Sequence, residues 1–112
     1  GWLDTYWVEG GDTGDGEYID IRLGGRKELK RFAIAMGFDM TDSFFQGANR
    51  AGKATLSFSD GSTQEFALAD EKGLQYFDLA RVDTSTVRVT FGDIRRGKTT
   101  NELYVSEVRF WE

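Results

Sequence analysis

ATLSFSDGSTQEFAL, Ala54 to Leu68, is the stretch on which the fold turns. Leu56 and Phe58 alternate with Thr55 and Ser57, and Phe66 and Leu68 return after Asp60-Gly61. A period of two sends apolar side chains to one face of a strand, and glycine accepts the positive φ that a tight turn demands. The segment predicts an antiparallel hairpin with its Asp60-Gly61 tip exposed.

The same period runs outward in both directions. EYIDIRL puts Ile19, Ile21 and Leu23 on one face and Asp20 and Arg22 on the other. In RFAIAMGF, Phe32, Ile34, Met36 and Phe38 alternate with small residues, which predicts a strand covered on both sides. LQYFDLA (Leu74–Ala80), STVRVTF (Val87, Val89, Phe91) and LYVSEVRFW (Val105, Val108, Phe110) supply further strands. RKELKR, Arg26–Arg31, is the one competing helix; its place after Gly24-Gly25 favours a charged turn and strand start. Short strands separated by Gly and Asp predict an all-β domain, a β-sandwich of about eight strands. The inward set is Ile19, Ile21, Phe32, Ile34, Leu56, Phe58, Phe66, Val87, Val89, Val108 and Phe110.

Composition narrows function by exclusion. The 112 residues suit one domain with one core, and 39% apolar and 14% aromatic residues are enough to fill it. Cysteine and histidine are both absent. That removes thiolate chemistry, the commonest general base and the commonest zinc ligand together. A net charge of −5 argues against nucleic acid as a partner. No apolar run approaches the roughly 20 residues that span a bilayer, so no membrane insertion is expected. The chain opens on Gly1 without a signal-like segment, and is expected to be one domain, 1–112, of a longer protein.

WVEGGDTGDGEYIDI, Trp7–Ile21, invites two ligand readings. A phosphate cradle needs glycines feeding a helix and a cation nearby; here they feed a strand, and no Lys or Arg precedes Arg22. An EF-hand loop needs acids at alternate positions and a closing Glu on a helix, which Asp12 and Asp15 do not provide. A turn into a strand accounts for the glycines.

A set of landmarks then occurs in order: Thr5-x-Trp7, Glu9-Gly10, Gly16-Glu17-Tyr18-Ile19, Gly37-Phe38, Asn49-Arg50, Phe58-Ser59-Asp60-Gly61 with Phe66, Thr84-Ser85-Thr86-Val87-Arg88, and Val105-Ser106-Glu107-Val108-Arg109-Phe110. The set covers nearly the whole chain. It resembles discoidin-like domains (F5/8 type C, galactose-binding-like), most nearly the NADase-type glycan-binding domain. The resemblance implies a jelly-roll sandwich and a non-catalytic carbohydrate-binding module of an extracellular or cell-surface protein. A protein–protein interaction domain of the same fold is the alternative, with neighbouring domains of a parent protein as partners. It also implies a structural calcium held by Glu107 with oxygens near Asp4 and Thr5, in keeping with the six to eight oxygens calcium takes. The competing reading is that Glu107 faces solvent or pairs with an arginine across the sheet from the neighbourhood of Arg109.

Two irregular stretches carry sugar-type chemistry. Asp39–Arg50 contains Asp39, Phe44, Phe45, Asn49 and Arg50, and Gly92–Glu102 contains Arg95, Arg96, Lys98 and Asn101. An aromatic ring covers the apolar face of a pyranose while planar polar groups take its hydroxyls; the basic residues suggest an anionic sugar if the loops meet. Against this, the phenylalanines would cap the core and the loop charges would be solvated. No acidic pair sits in an aromatic cleft pattern of the kind glycoside hydrolysis requires, so no enzyme is expected.

Overall fold

The computed structural model describes residues 6–10, 17–36, 49–95, 97 and 105–112, with backbone alone for 6–10, Met36 and Ser106. Six strands account for most of them: β1 (Tyr6–Gly10), β2 (Tyr18–Met36), β3 (Lys53–Phe58), β4 (Thr63–Ala67), β5 (Gly73–Gly92) and β6 (Val105–Trp111). All pairings are antiparallel, in the order β1-β2-β5-β3-β4, and β6 joins the remaining edge of β2.

The unexpected element is the length of β2 and β5. EYIDIRL and RFAIAMGF, read as separate strands, are the two halves of β2, and RKELKR continues the strand between them. LQYFDLA and STVRVTF are likewise the two halves of β5. What breaks is the register. From Arg22↔Thr86 to Lys27↔Thr84, β2 gains residues over β5, around Gly24 (φ 72°) and Gly25 (φ 133°). Only glycine takes such angles cheaply, so the pair bends there. A second shift, from Leu29↔Val82 to Arg31↔Asp78, gives β5 the extra residues. The first half of β2 pairs with β1 and the second half of β5; the second half of β2 pairs with β6 and the first half of β5.

The folded-over halves form the two layers of the sandwich. Phe66 of β4 reaches across to Phe32 (ring centroids 5.7 Å) and Phe77 (5.1 Å) on the other layer. Phe32 also stacks on its register neighbours Phe77 and Phe110, each at 5.7 Å. Every inward residue named from the sequence is in the buried core except Phe66, which is half-buried and packs against it. Ala33 and Ala35 are buried along with Phe32 and Ile34, as a strand covered on both faces requires.

Two glutamines seal the layers. Gln64 donates to the Ala80 carbonyl and accepts from the Ala80 amide, both at 2.9 Å, and so satisfies backbone groups in the β5 irregularity. Gln75 does the same for Ala69, at 2.9 and 2.8 Å. The β3–β4 turn falls where the sequence put it. The Phe58 and Gly61 amides donate to the Ser62 and Phe58 carbonyls, and Gly61 sits at φ 88°. This is the three-residue loop with glycine in the left-handed position, rather than a two-residue turn. Asp60 accepts from the Ser62 amide and hydroxyl, which hold its carboxyl below the ordinary value.

Candidate functional site

The loops carrying the candidate sugar-binding residues meet at their described ends. Arg50 and Arg95 form a two-way backbone bridge, amide to carbonyl at 2.9 and 2.7 Å. Their side chains face the framework. The Arg95 guanidinium donates to the carbonyls of Ala51 (3.1 Å) and Leu68 (3.0 Å). Arg50 Nε donates to the Asp70 carboxylate. Asn49 is buried, and its side-chain oxygen accepts from the Gly97 amide at 2.9 Å. Arg50 and Arg95 tie the loop bases to the Leu68–Asp70 segment, and Asn49 ties the two loop bases to each other. Asn49 and Ala51 are buried on either side of the half-buried Arg50. Asp39, Phe44, Phe45, Arg96, Lys98 and Asn101 lie outside the described residues.

Gly52 closes the base from below. Its amide reaches the carbonyls of Gly92 and Asp93, both at 3.1 Å, and its carbonyl accepts from the Leu68 amide at 2.9 Å. Asp93 itself sits at φ 50°, a left-handed angle that aspartate tolerates better than most residues. Of the Gly-rich opening, Gly11, Asp12, Gly14, Asp15 and Gly16 lie outside the described residues; Glu17 is buried and its carbonyl accepts from the Phe91 amide at 2.8 Å.

Glu107 pairs with an arginine, on its own strand rather than across the sheet. Both its oxygens accept from Arg109, from Nε at 2.7 Å and Nη2 at 2.9 Å, and this pairing holds the Arg109 guanidinium above its ordinary value. Among the described residues no group of three or more acidic side chains converges as a metal cage. Asp4 and Thr5, the other residues of the expected calcium site, lie outside the described residues.

A second polar constellation, not anticipated from the sequence, stands on the outward face of the layer that holds the first half of β2. Arg88 grips Asp20 through Nε (2.7 Å) and Nη2 (3.0 Å) and lies 4.1 Å over the Tyr18 ring. Its signal was the polar side of EYIDIRL. The Arg88 hydrogen bonds hold the Asp20 carboxyl below its ordinary value of 3.8. A lowered folded value stabilises above the unfolded one, and the contribution disappears as pH falls through the folded value. Asp20→Asn should therefore be less stable than the parent at neutral pH, by a small margin because the pair is exposed. Urea titrations should show that gap closing only below about pH 4; a gap that widens in acid would contradict the assignment.

Fold and loop convergence together define a discoidin-like β-sandwich module. The family described as the NAD glycohydrolase translocation F5/8 type C domain matches residues 2–111, and the chain belongs to it. Among solved structures, the NMR structure of the Streptococcus pyogenes NAD+-glycohydrolase translocation domain is similar at TM-score 0.66 and 20% identity, over 94% of this chain and 92% of that one. The family 32 carbohydrate-binding module of Streptococcus pneumoniae EndoD is similar at TM-score 0.65 and 13% identity, over 96% and 75%. The family 32 module of C. perfringens NanJ, solved with galactose, is similar at 0.64 and 12%, over 98% and 77%. No curated protein sequence matches the chain.

Proposed function

We propose that the domain is a non-catalytic glycan-binding module of a surface or secreted protein, with its sugar site at the sandwich end beside Arg50 and Arg95. The supporting observation is their backbone bridge, which joins the bases of the two loops bearing the aromatic and basic candidates. Loops at a sandwich end vary without disturbing the core, which is why binding sits there. In this reading Phe44 or Phe45 stacks on the ring. Asp39, Arg96, Lys98 and Asn101 take hydroxyls or an acidic substituent, and Asn49, Arg50 and Arg95 hold the loops in place.

A shallow, wet site of this kind binds at about 1 mM to 1 μM, and several copies or a tethered partner would strengthen it. Glycan arrays followed by calorimetry test the reading. Phe44→Ala or Phe45→Ala should weaken the best sugar by about two- to tenfold, the worth of a stacked aromatic, with folding verified by circular dichroism. Unchanged binding in both, and in Lys98→Ala, would move the site elsewhere. The family's translocation description favours a second reading, docking to a protein partner; silence across the array with retention of a partner would select it. A calcium at Glu107 would have to draw that carboxylate from Arg109 and complete its shell near Asp4 and Thr5. Equal melting in chelator and in millimolar calcium rules it out.

A further inference from the structure

Away from the loop end, the outward face of the layer formed by β2, β5 and β3 carries a depression of about 610 Å³. Its polar lining is Asp20, Arg22, Ser57, Thr86 and Arg88. We propose that this depression is a second binding site, recognising one carboxylate-bearing sugar unit, a hexuronate, of an acidic glycan.

The register builds the site. Asp20, Arg88 and Ser57 stand opposite one another on three adjacent strands, and Arg22 and Thr86 form the next outward pair. Ile21, Val87 and Phe58, buried between them, complete the lining of the depression. A floor of apolar residues with polar and charged groups standing over it suits a sugar ring, which has both carbon faces and hydroxyls. The Ser57 and Thr86 hydroxyls both donate and accept.

Arg88 is the anchor. Asp20 occupies its Nε–Nη2 edge and the Tyr18 ring lies beneath it, so the guanidinium plane is fixed before any ligand arrives. The other edge, Nη1 with the second Nη2 hydrogen, presents two parallel donors. A planar carboxylate accepts that pair in one plane. Arg22, exposed and diagonal to Arg88, adds a second cation within reach of the same group. Two arginines against one aspartate leave a single positive charge here, in a chain whose net charge is −5. One ligand carboxylate balances it, whereas a second negative charge would face Asp20. The volume falls within the range of about 300–1,000 Å³ typical of small-molecule sites.

The site shares no residue with the loop end, so the two can be tested separately by amide chemical shifts of the whole domain. Titration with methyl galacturonide should move the amides of Arg22, Thr86 and Arg88 with a dissociation constant of about 1 mM. Methyl galactoside should leave them still. Arg22→Gln should weaken the uronide about tenfold, the loss of one charged hydrogen bond, with other resonances unmoved. Shifts at Arg95 and Gly97 would report the loop site instead, and their presence or absence bears only on that site. No movement at Arg22, Thr86 and Arg88, equal movement with the neutral sugar, or an unaffected Arg22→Gln would overturn the proposal. Equal binding of galactose 6-sulfate would also overturn it, by reducing the depression to a general anion patch.

Discussion

Phe32→Ala should cost the domain about 3–5 kcal/mol, the range for removing a buried phenylalanine. The upper end is expected. Phe32 is fully buried on a strand paired on both edges, and its ring meets Phe66, Phe77 and Phe110. Each ring pair adds about 0.5–1.5 kcal/mol beyond burial. Phe66 belongs to the opposite layer, so the truncation opens the joint between layers and not merely one face. Against a total of about 5–15 kcal/mol for an ordinary domain, the variant would stand close to unfolding at ambient temperature. Urea denaturation measures this directly. A loss under about 1 kcal/mol with an unchanged m-value would mean that the layers do not pack through Phe32.

Gly52→Ala should also be damaging, for a different reason. A Cβ at this position would lie 2.6 Å from the Asp93 carbonyl oxygen and 3.2 Å from its Cβ. The nearest obstacle is backbone and cannot swing aside. Moving it stretches the Gly52 amide bonds to Gly92 and Asp93, and beside them lies the Arg50–Arg95 bridge. A cost of about 1–3 kcal/mol is expected from overpacking alone. If the sugar site is at this end, affinity should fall with it. The melting temperature and the amide shifts of Arg50 and Arg95 provide the readout. A variant that melts with the parent and keeps those shifts would show that the two segments can part freely.

The inside–outside pattern was legible because alternation is imposed by strand geometry alone: Ile19, Ile21, Leu56, Phe58, Val87 and Val89 all fall inward as their spacing requires. The Asp60-Gly61 turn was legible for the same local reason. Strand continuity was not. Gly24-Gly25 reads as a break, yet its positive φ angles bend β2 without ending it. Whether a glycine pair ends or folds a strand depends on what faces it, here Thr84 and Thr86 on a segment some sixty residues away. The roles of Asn49 and Arg95 were hidden likewise. A buried amide or a guanidinium serving backbone carbonyls looks, in sequence, like one serving a ligand. The Asp20–Arg88 pair joins residues whose partnership only the β2–β5 register creates.

That register governs how the chain can come to be folded at all. The long pair runs from Tyr18↔Thr90, 72 positions apart, to Met36↔Gly73, 37 apart, and β2 belongs to both layers. Neither layer can be completed without β5. Loops of that size must close before their pairing repays the entropy, which makes such topologies slow to form. A chain emerging N-terminus first from a ribosome or a narrow channel can build the β3–β4 hairpin early, but no sandwich until Thr90 is out. Both layers are therefore completed only late, when β5 and then β6 reach β2.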